Sequence, residues 1–393
     1  MLEYVPGNRL VLLHNGEQYF PELTRAIDGA RHEIFLETYL FADDQTGSLV
    51  ADALSRAAAR GVAVQLLLDG FGARDLAPRF REMLERAGAK VQVYRPNVSP
   101  WTLRRSRLRR LHRKIVCVDD TVAFVGGINI IDDFHTPRQT PPRFDYAVRI
   151  EGPVVERVRE AAARLWALTA WANFRKRVTD RTGAFGMRRN HLPRWSAPAG
   201  DQRAALVVRD NLRHRRDIEE AYLSLIGSAR REILIANSYF FPGRRFRHAL
   251  VSAAARGVHV TLLLQGRVEY ALLHYASRAL YGSLLDAGVE IHEYHRSFLH
   301  AKVAVFDGRQ ACVGSSNIDP FSLLLAREAN LFVDDAAFAA ELRGNLIEAM
   351  RLGAQPVPPR QWKRKPLRLR VRIWLAYALA RLFIAMAGVD RYH

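Results

Sequence analysis

Cysteine is almost missing from this chain, with two residues, Cys117 and Cys312, among 393. Both sit in apolar, strand-like runs (Ile115–Val118 and Ala311–Val313). A disulfide framework is thereby excluded, and two buried free thiols are expected. Acidic residues are in deficit, 40 Asp and Glu against 59 Lys and Arg, which leaves a formal net charge of +19. Such a surplus is silent on fold but selects polyanionic partners, nucleic acid or anionic lipid. No long apolar run follows residues 1–9, so no signal peptide is expected and the chain is placed on the cytoplasmic side. An uninterrupted apolar run of about 20 residues, the length of a spanning helix, is also missing. The longest approach to one, Ile373–Val389, has 17 residues and contains Arg381. Hydrophobic residues still make up 49%, enough for packed cores and too many for a disordered chain.

What the chain does contain is a repeat of itself. Ile34–Leu40 reads IFLETYL and Ile233–Tyr239 reads ILIANSY, while Ala57–Val62 and Ala253–Val258 both read AAARGV. A strand-like run follows each AAARGV word (Val64–Asp69 and Val260–Gln265). After a further helical stretch come VQVY (Val91–Tyr94) and IHEY (Ile291–Tyr294). The glycine of each RGV reads as a helix stop ahead of a strand. Strands that alternate with helices in both halves predict an α/β fold: two repeats, each a mixed sheet flanked by helices, related by a pseudo-two-fold. The expected division is a first repeat over 1–175, a linker over 176–202, a second repeat over 203–352 and a tail over 353–393. The linker is rich in Arg, Gly and Pro.

Two matched motifs stand inside this repeat. His112-Arg-Lys114 runs on to Asp119 and then to Gly126 and Asn129; His300-Ala-Lys302 runs on to Asp307, Gly314 and Asn317. Lys lies at His+2, Asp at His+7, Gly at His+14 and Asn at His+17 in both. Side chains two apart on a strand share a face, so each His points with its Lys. Asp119-Asp120 and Asp307-Gly308 are turn signals, and each motif is expected to open a β-hairpin whose return strand delivers the Asn. With the halves facing each other, two His, two Lys and two Asn converge on one pocket. That set suits phosphodiester chemistry. One imidazole attacks phosphorus and the other serves as acid and then base, while Lys and Asn hold the non-bridging oxygens. The chemistry needs no metal and no other cofactor.

The duplicated HxKxxxxD pattern resembles the phospholipase D superfamily. More narrowly, LETYLF (Leu36–Phe41), HRKIVCVDDTVAFVGGINI (His112–Ile130) and DYAVRIEGP (Asp145–Pro153) are similar to bacterial cardiolipin synthases of the B branch. The resemblance covers roughly residues 8–350. It implies a catalytic set of His112, Lys114, Asp119, His300, Lys302 and Asp307, with His112 as nucleophile and His300 as acid and base. It also implies transfer of a phosphatidyl group from one phospholipid to the hydroxyl of an acceptor such as phosphatidylglycerol or phosphatidylethanolamine. A hydrolase with the same histidines, acting on phospholipid or nucleic-acid phosphodiesters, is the alternative, and a non-catalytic lipid scaffold is a third.

Several further residues carry expectations. Asp145 and Glu328 open matched strands and are placed to orient the histidines. Asp119 and Asp307 lie beyond the anchored strand and fit hairpin turns as well as catalysis. Glu37, matched by Asn237, is a carboxylate in an apolar run and fits either acceptor recognition or a buried structural bond. Arg104, Arg105, Arg107, Arg109, Arg110 and Arg113 read as a phosphate-collecting rim. The pairs Asp43-Asp44, Asp119-Asp120 and Asp132-Asp133 read as turns and helix starts, not metal ligands. The tail, with its basic run Lys363–Arg372 ahead of Ile373–Val389, is expected to lie on the cytoplasmic face of an inner membrane. The expected partners are an anionic phospholipid substrate, phosphatidylglycerol, and a membrane surface, not nucleic acid.

Overall fold

The computed structural model describes residues 2–72, 76, 78–96, 109–134, 140–178, 196–210, 214–319, 322, 325–363 and 365–386. The strands of the first half are β1 (Val5–His14), β2 (Glu33–Thr38), β3 (Ala63–Asp69), β4 (Lys90–Tyr94), β5 (Lys114–Val118), β6 (Val122–Gly126), β7 (Arg143–Phe144) and β8 (Tyr146–Glu151). Those of the second are β9 (Gln202–Arg209), β10 (Glu232–Asn237), β11 (His259–Gln265), β12 (Glu290–Tyr294), β13 (Phe298–Leu299), β14 (Lys302–Phe306), β15 (Gln310–Gly314), β16 (Glu328–Asp334) and β17 (Ala354–Pro356).

Read outward from the β1–β9 junction, the strand order is β1-β8-β6-β5-β2-β3-β4 on one side and β9-β16-β15-β14-β10-β11-β12 on the other, with β17 added at the second edge. Each strand meets its counterpart, so the sequence repeat is a structural one. Within each half β2, β3 and β4, or β10, β11 and β12, run parallel, and the motif strands return antiparallel. The sheet is therefore mixed, and helices cross over between its parallel strands.

The AAARGV words end helices as expected. The helix Gln45–Ala59 leads to Gly61 at φ +90°, and Arg244–Ala255 leads to Gly257 at φ +85°. That left-handed conformation is cheap only for glycine, and it turns the chain into β3 or β11. Three cores follow from the alternation of apolar residues. Val125, Val148 and Ile150 of one half pack against Val313, Leu331 and Val333 of the other, together with the helices Val154–Val178 and Ala336–Gly353. The outer face of each half buries its own helices, through Leu23, Ile27 and Leu54 on one side and Ile226, Phe246 and Leu250 on the other. Each half thus has helices on the outer face of its sheet, and the two inner faces meet each other and the helices Val154–Val178 and Ala336–Gly353. Cys117 and Cys312 are free and buried within them. Most of the expected linker, 179–195, lies outside the described residues.

Candidate active site

Each histidine precedes its motif strand, where the chain pairs with the opposite half. Leu111 bridges Arg327, and His112 N–H donates to the Arg327 carbonyl at 2.9 Å. By the pseudo-two-fold, β13 pairs with β7, and His300 N–H donates to the Phe144 carbonyl at 2.9 Å. The residue after Arg327 is Glu328 and the residue after Phe144 is Asp145. The carboxylate of each half is therefore delivered to the histidine of the other. His112 Nδ1 lies 3.0 and 3.1 Å from the two Glu328 oxygens, and His300 Nδ1 lies 2.5 Å from Asp145 Oδ2. A Nδ1–H donated to a carboxylate leaves Nε2 as the nitrogen with a lone pair.

The two carboxylates are held differently. Asp145 accepts the Tyr146 backbone N–H at 2.8 Å and lies against Gly127, where a Cβ would stand 2.3 Å from Oδ1. In the second half Ser315 takes the place of Gly127 and donates its hydroxyl to the longer Glu328. Lys114 Nζ donates to the His112 carbonyl at 2.8 Å, and Lys302 Nζ donates to the His300 carbonyl. Lys302 Nζ is also 3.0 Å from His300 Nδ1. That nitrogen cannot donate to Asp145 and accept from lysine at once, so the carbonyl is the better acceptor for Lys302.

His112 and His300 line a cavity of about 390 Å³ with Tyr39, Asn129, Arg143 and Glu269. Burial lowers the pKa of both histidines, and for His300 the nearby Lys302 lowers it further. A neutral imidazole is what a nucleophile requires, whereas the group that protonates the leaving oxygen must begin protonated and becomes a base afterwards. Burial also lowers Lys114 to about 7 and raises Asp145 to about 6. Below about 6 Asp145 gains a proton and no longer offers His300 a negative charge; above about 7 Lys114 loses the charge that would face phosphate. The dependence of kcat/KM on pH is therefore expected to be a narrow bell, rising near 6 and falling near 7. Lys114→Arg, charged at all working pH, should shift the falling limb upward by a unit or more, which a pH–rate profile on vesicle substrate would reveal; an unmoved limb would disprove the assignment.

Asp119 and Asp307 do not line this cavity and stand in the hairpin-turn position that was the other role expected of them. Each lies past the far end of its motif strand in the left-handed region, at φ +51° and +54°. Asp119 accepts the backbone N–H groups of Arg31, His32 and Glu33, and Asp307 those of Arg230, Arg231 and Glu232. They pin the neighbouring strands β2 and β10. Burial alone would raise the Asp307 pKa, but these N–H groups hold it below the usual range. Asp307→Ala is expected to cost roughly 1–2 kcal/mol in urea unfolding, because solvent replaces part of what is lost. A loss of activity with unchanged stability would return Asp307 to the chemistry.

Of the two roles expected for Glu37, the structure shows the buried structural bond. It is paired across β2 and β5 with Ile115, whose face it shares with Arg113 and not with His112. Its carboxylate meets the Arg113 guanidinium at 2.8 Å, with both residues buried. Arg113 accordingly leaves the expected phosphate-collecting rim, while Arg110 does line the cavity. Arg104, Arg105 and Arg107 lie outside the described residues. Asn129 Oδ1 accepts from Leu40 N–H at 3.3 Å, and Asn317 Oδ1 accepts from the Ser238 hydroxyl at 3.1 Å. Arg143, Glu269, Tyr239 and Ser315 belong to the site or its support and have no counterpart in the motif offsets. Position was the available signal for two of them: Arg143 stands two residues before Asp145, and Ser315 stands where the first half has Gly127. Of the acidic pairs, Asp44 caps the helix Gln45–Ala59 and Asp133 accepts the Gly16 N–H.

Comparison with known proteins agrees with this geometry. The family described as "Cardiolipin synthase, PLD-like domain" matches residues 23–166 and 222–350, one stretch in each half. The chain is 39% identical over 391 residues to Cardiolipin synthase B of Escherichia coli K12, covering 97% of this chain and 90% of that one. It is 40% identical over 370 residues to Cardiolipin synthase B of Salmonella typhimurium, covering 91% of this chain and 85% of the relative. Among solved structures, phosphatidylserine synthase of Haemophilus influenzae superposes with a TM-score of 0.71 over 99% of this chain and 97% of its own, at 12% identity, a likeness of fold. With both halves matched and the identity sustained along nearly its whole length, the chain belongs to the PLD-like cardiolipin synthase family.

Proposed function

We propose that the chain joins two molecules of phosphatidylglycerol into cardiolipin and glycerol. The carrying observation is the cavity that holds two histidines, each bonded to a carboxylate of the other half, beside two buried lysines. His112 Nε2 attacks the phosphorus of the first lipid as the bond to the headgroup glycerol oxygen breaks. His300, which enters this step as the imidazolium with one proton on Nδ1 toward Asp145 and one on Nε2, donates the Nε2 proton that this oxygen takes. A hydroxyl of the second lipid then gives its proton to His300 Nε2 and attacks the phosphatidyl-histidine, which restores His112. Lys114 and Lys302 offset the charge that develops on the non-bridging oxygens. The names of the relatives favour transfer over hydrolysis. Purified protein with labelled phosphatidylglycerol vesicles is expected to release cardiolipin and glycerol; phosphatidic acid as the main product would move the chain to the hydrolases.

The tail, 353–393, serves as the membrane-associating part, on the cytoplasmic face of an inner membrane. No helix among the described residues is long and apolar enough to cross a membrane. The helix Leu367–Met386 packs Ala380 and Ile384 against Phe241, Ala276 and Leu325, and Leu325 itself lines the catalytic cavity. Its other side exposes Val371, Trp374, Leu375, Leu379, Leu382 and Met386 beside Arg368, Arg370 and Arg372. An apolar stripe flanked by arginines suits an anionic interface. Replacing Trp374, Leu375 and Leu382 together by Ser should weaken sedimentation with phosphatidylglycerol vesicles at least about a hundredfold. Binding that survives intact would count against this placement.

A further inference from the structure

The catalytic strands have a reverse side. His112 lines the catalytic cavity, whereas the next residue, Arg113, lines a separate cavity of about 170 Å³. The same division recurs across the pairing, where Ala326 faces the catalytic cavity and Arg327 the second one. The helix Val154–Val178 adds Arg157 and Arg164 at the rim, and the end of β9 adds Arg209. Five arginines thus line this cavity with the carboxylates of Glu160 and Asp210, and Glu37 stands behind Arg113. Arg113 and Arg209 are 3% and 1% exposed. One edge of Arg113 is committed to Glu37, but its Nε is buried with no hydrogen-bond partner.

A buried guanidinium nitrogen left without an acceptor, as Arg113 Nε is, is costly unless an anion joins it. The guanidinium fork matches the oxygens of a phosphate group, and the cavity has room for one. Burial lowers the pKa of Arg209 to about 10, against the pull of the Glu328 and Asp210 carboxylates. The arrangement is no by-product of the repeat. The counterpart of Arg113 is Ala301, which packs in the apolar core between the sheets. One wall is apolar, formed by Leu165, Leu168, Leu206 and Val208, which leaves space for the carbon skeleton of an esterified phosphate.

We propose that this cavity is a second phosphate-binding site, behind the catalytic strand and separate from the reacting one, for a phosphate group that is free or part of a lipid headgroup. It stands on these contacts alone and does not depend on the transfer reaction. Equilibrium dialysis of the full chain against labelled inorganic phosphate should find two bound ions per chain. Arg157 and Arg164 are exposed, so Arg157→Glu with Arg164→Glu leaves the core intact; it should weaken one ion at least about tenfold. Lys302→Met should weaken only the other. Dihexanoyl phosphatidylglycerol, kept below its micelle concentration, separates the sources. If it displaces the Arg164-dependent ion, the site takes a lipid headgroup; if it does not, the site takes free phosphate. Unchanged phosphate binding in the double variant, or a single ion lost entirely with Lys302→Met, would overturn the proposal.

Discussion

Alanine in place of either His112 or His300 is expected to lower cardiolipin formation by about ten-thousandfold or more. The two losses should be similar, and the double variant should be little worse than either single one. The reason is that the histidines act as a unit. Without His112 phosphorus has no nucleophile, and without His300 the leaving glycerol oxygen has no proton source. Residues that act as a unit are strongly non-additive. Circular dichroism and urea unfolding should stay close to wild type, because both rings line the cavity and anchor no core. A second histidine replacement that multiplies the loss of the first would mean that two independent sites were at work.

The next largest effect is expected at the carboxylates. Glu328→Gln should lower kcat by roughly a hundredfold to ten-thousandfold while KM changes little, and Asp145→Asn should do the same for the other histidine. An amide can donate as well as accept, so it no longer selects the tautomer with hydrogen on Nδ1. The diagnostic feature is that each substitution disables the histidine of the opposite half. Glu328→Gln should slow formation of the phosphatidyl-histidine on His112, and Asp145→Asn should slow the proton transfers through His300. Glu328→Asp is a gentler probe: the shorter side chain loses the Ser315 hydroxyl or the His112 ring, and partial activity is expected. If Glu328→Gln leaves single-turnover transfer to the enzyme unaffected, the crossed pairing is not functional.

Much of this is legible in the sequence. The repeated AAARGV words sit at helix ends because only glycine turns cheaply there, so the words mark the same structural step twice. The paired offsets from His to Lys and Asn follow from strand alternation and a tight hairpin, both local properties. Matching the strands of the two halves singles out Asp145 and Glu328. What could not be read was which carboxylate meets which histidine, because the crossing arises from β13 pairing with β7 and Leu111 bridging Arg327, contacts between halves. The part played by Asp119 and Asp307 was obscured because a recurring pattern does not say which way its last member points. Glu37 needed the register of β2 on β5, which sets it beside Arg113. The exposed stripe on Leu367–Met386 also depends on tertiary packing, because both sides of that helix are apolar and only one is covered.

The most direct test of the two-histidine account is to trap the intermediate. Protein is mixed with phosphatidylglycerol labelled in an acyl chain, quenched within one turnover and digested, and the modified peptide is sequenced by mass spectrometry. The account predicts label on His112, absent from His112→Ala and slowed in Glu328→Gln. Label on His300, or cardiolipin formed with no labelled enzyme at any time, would contradict it.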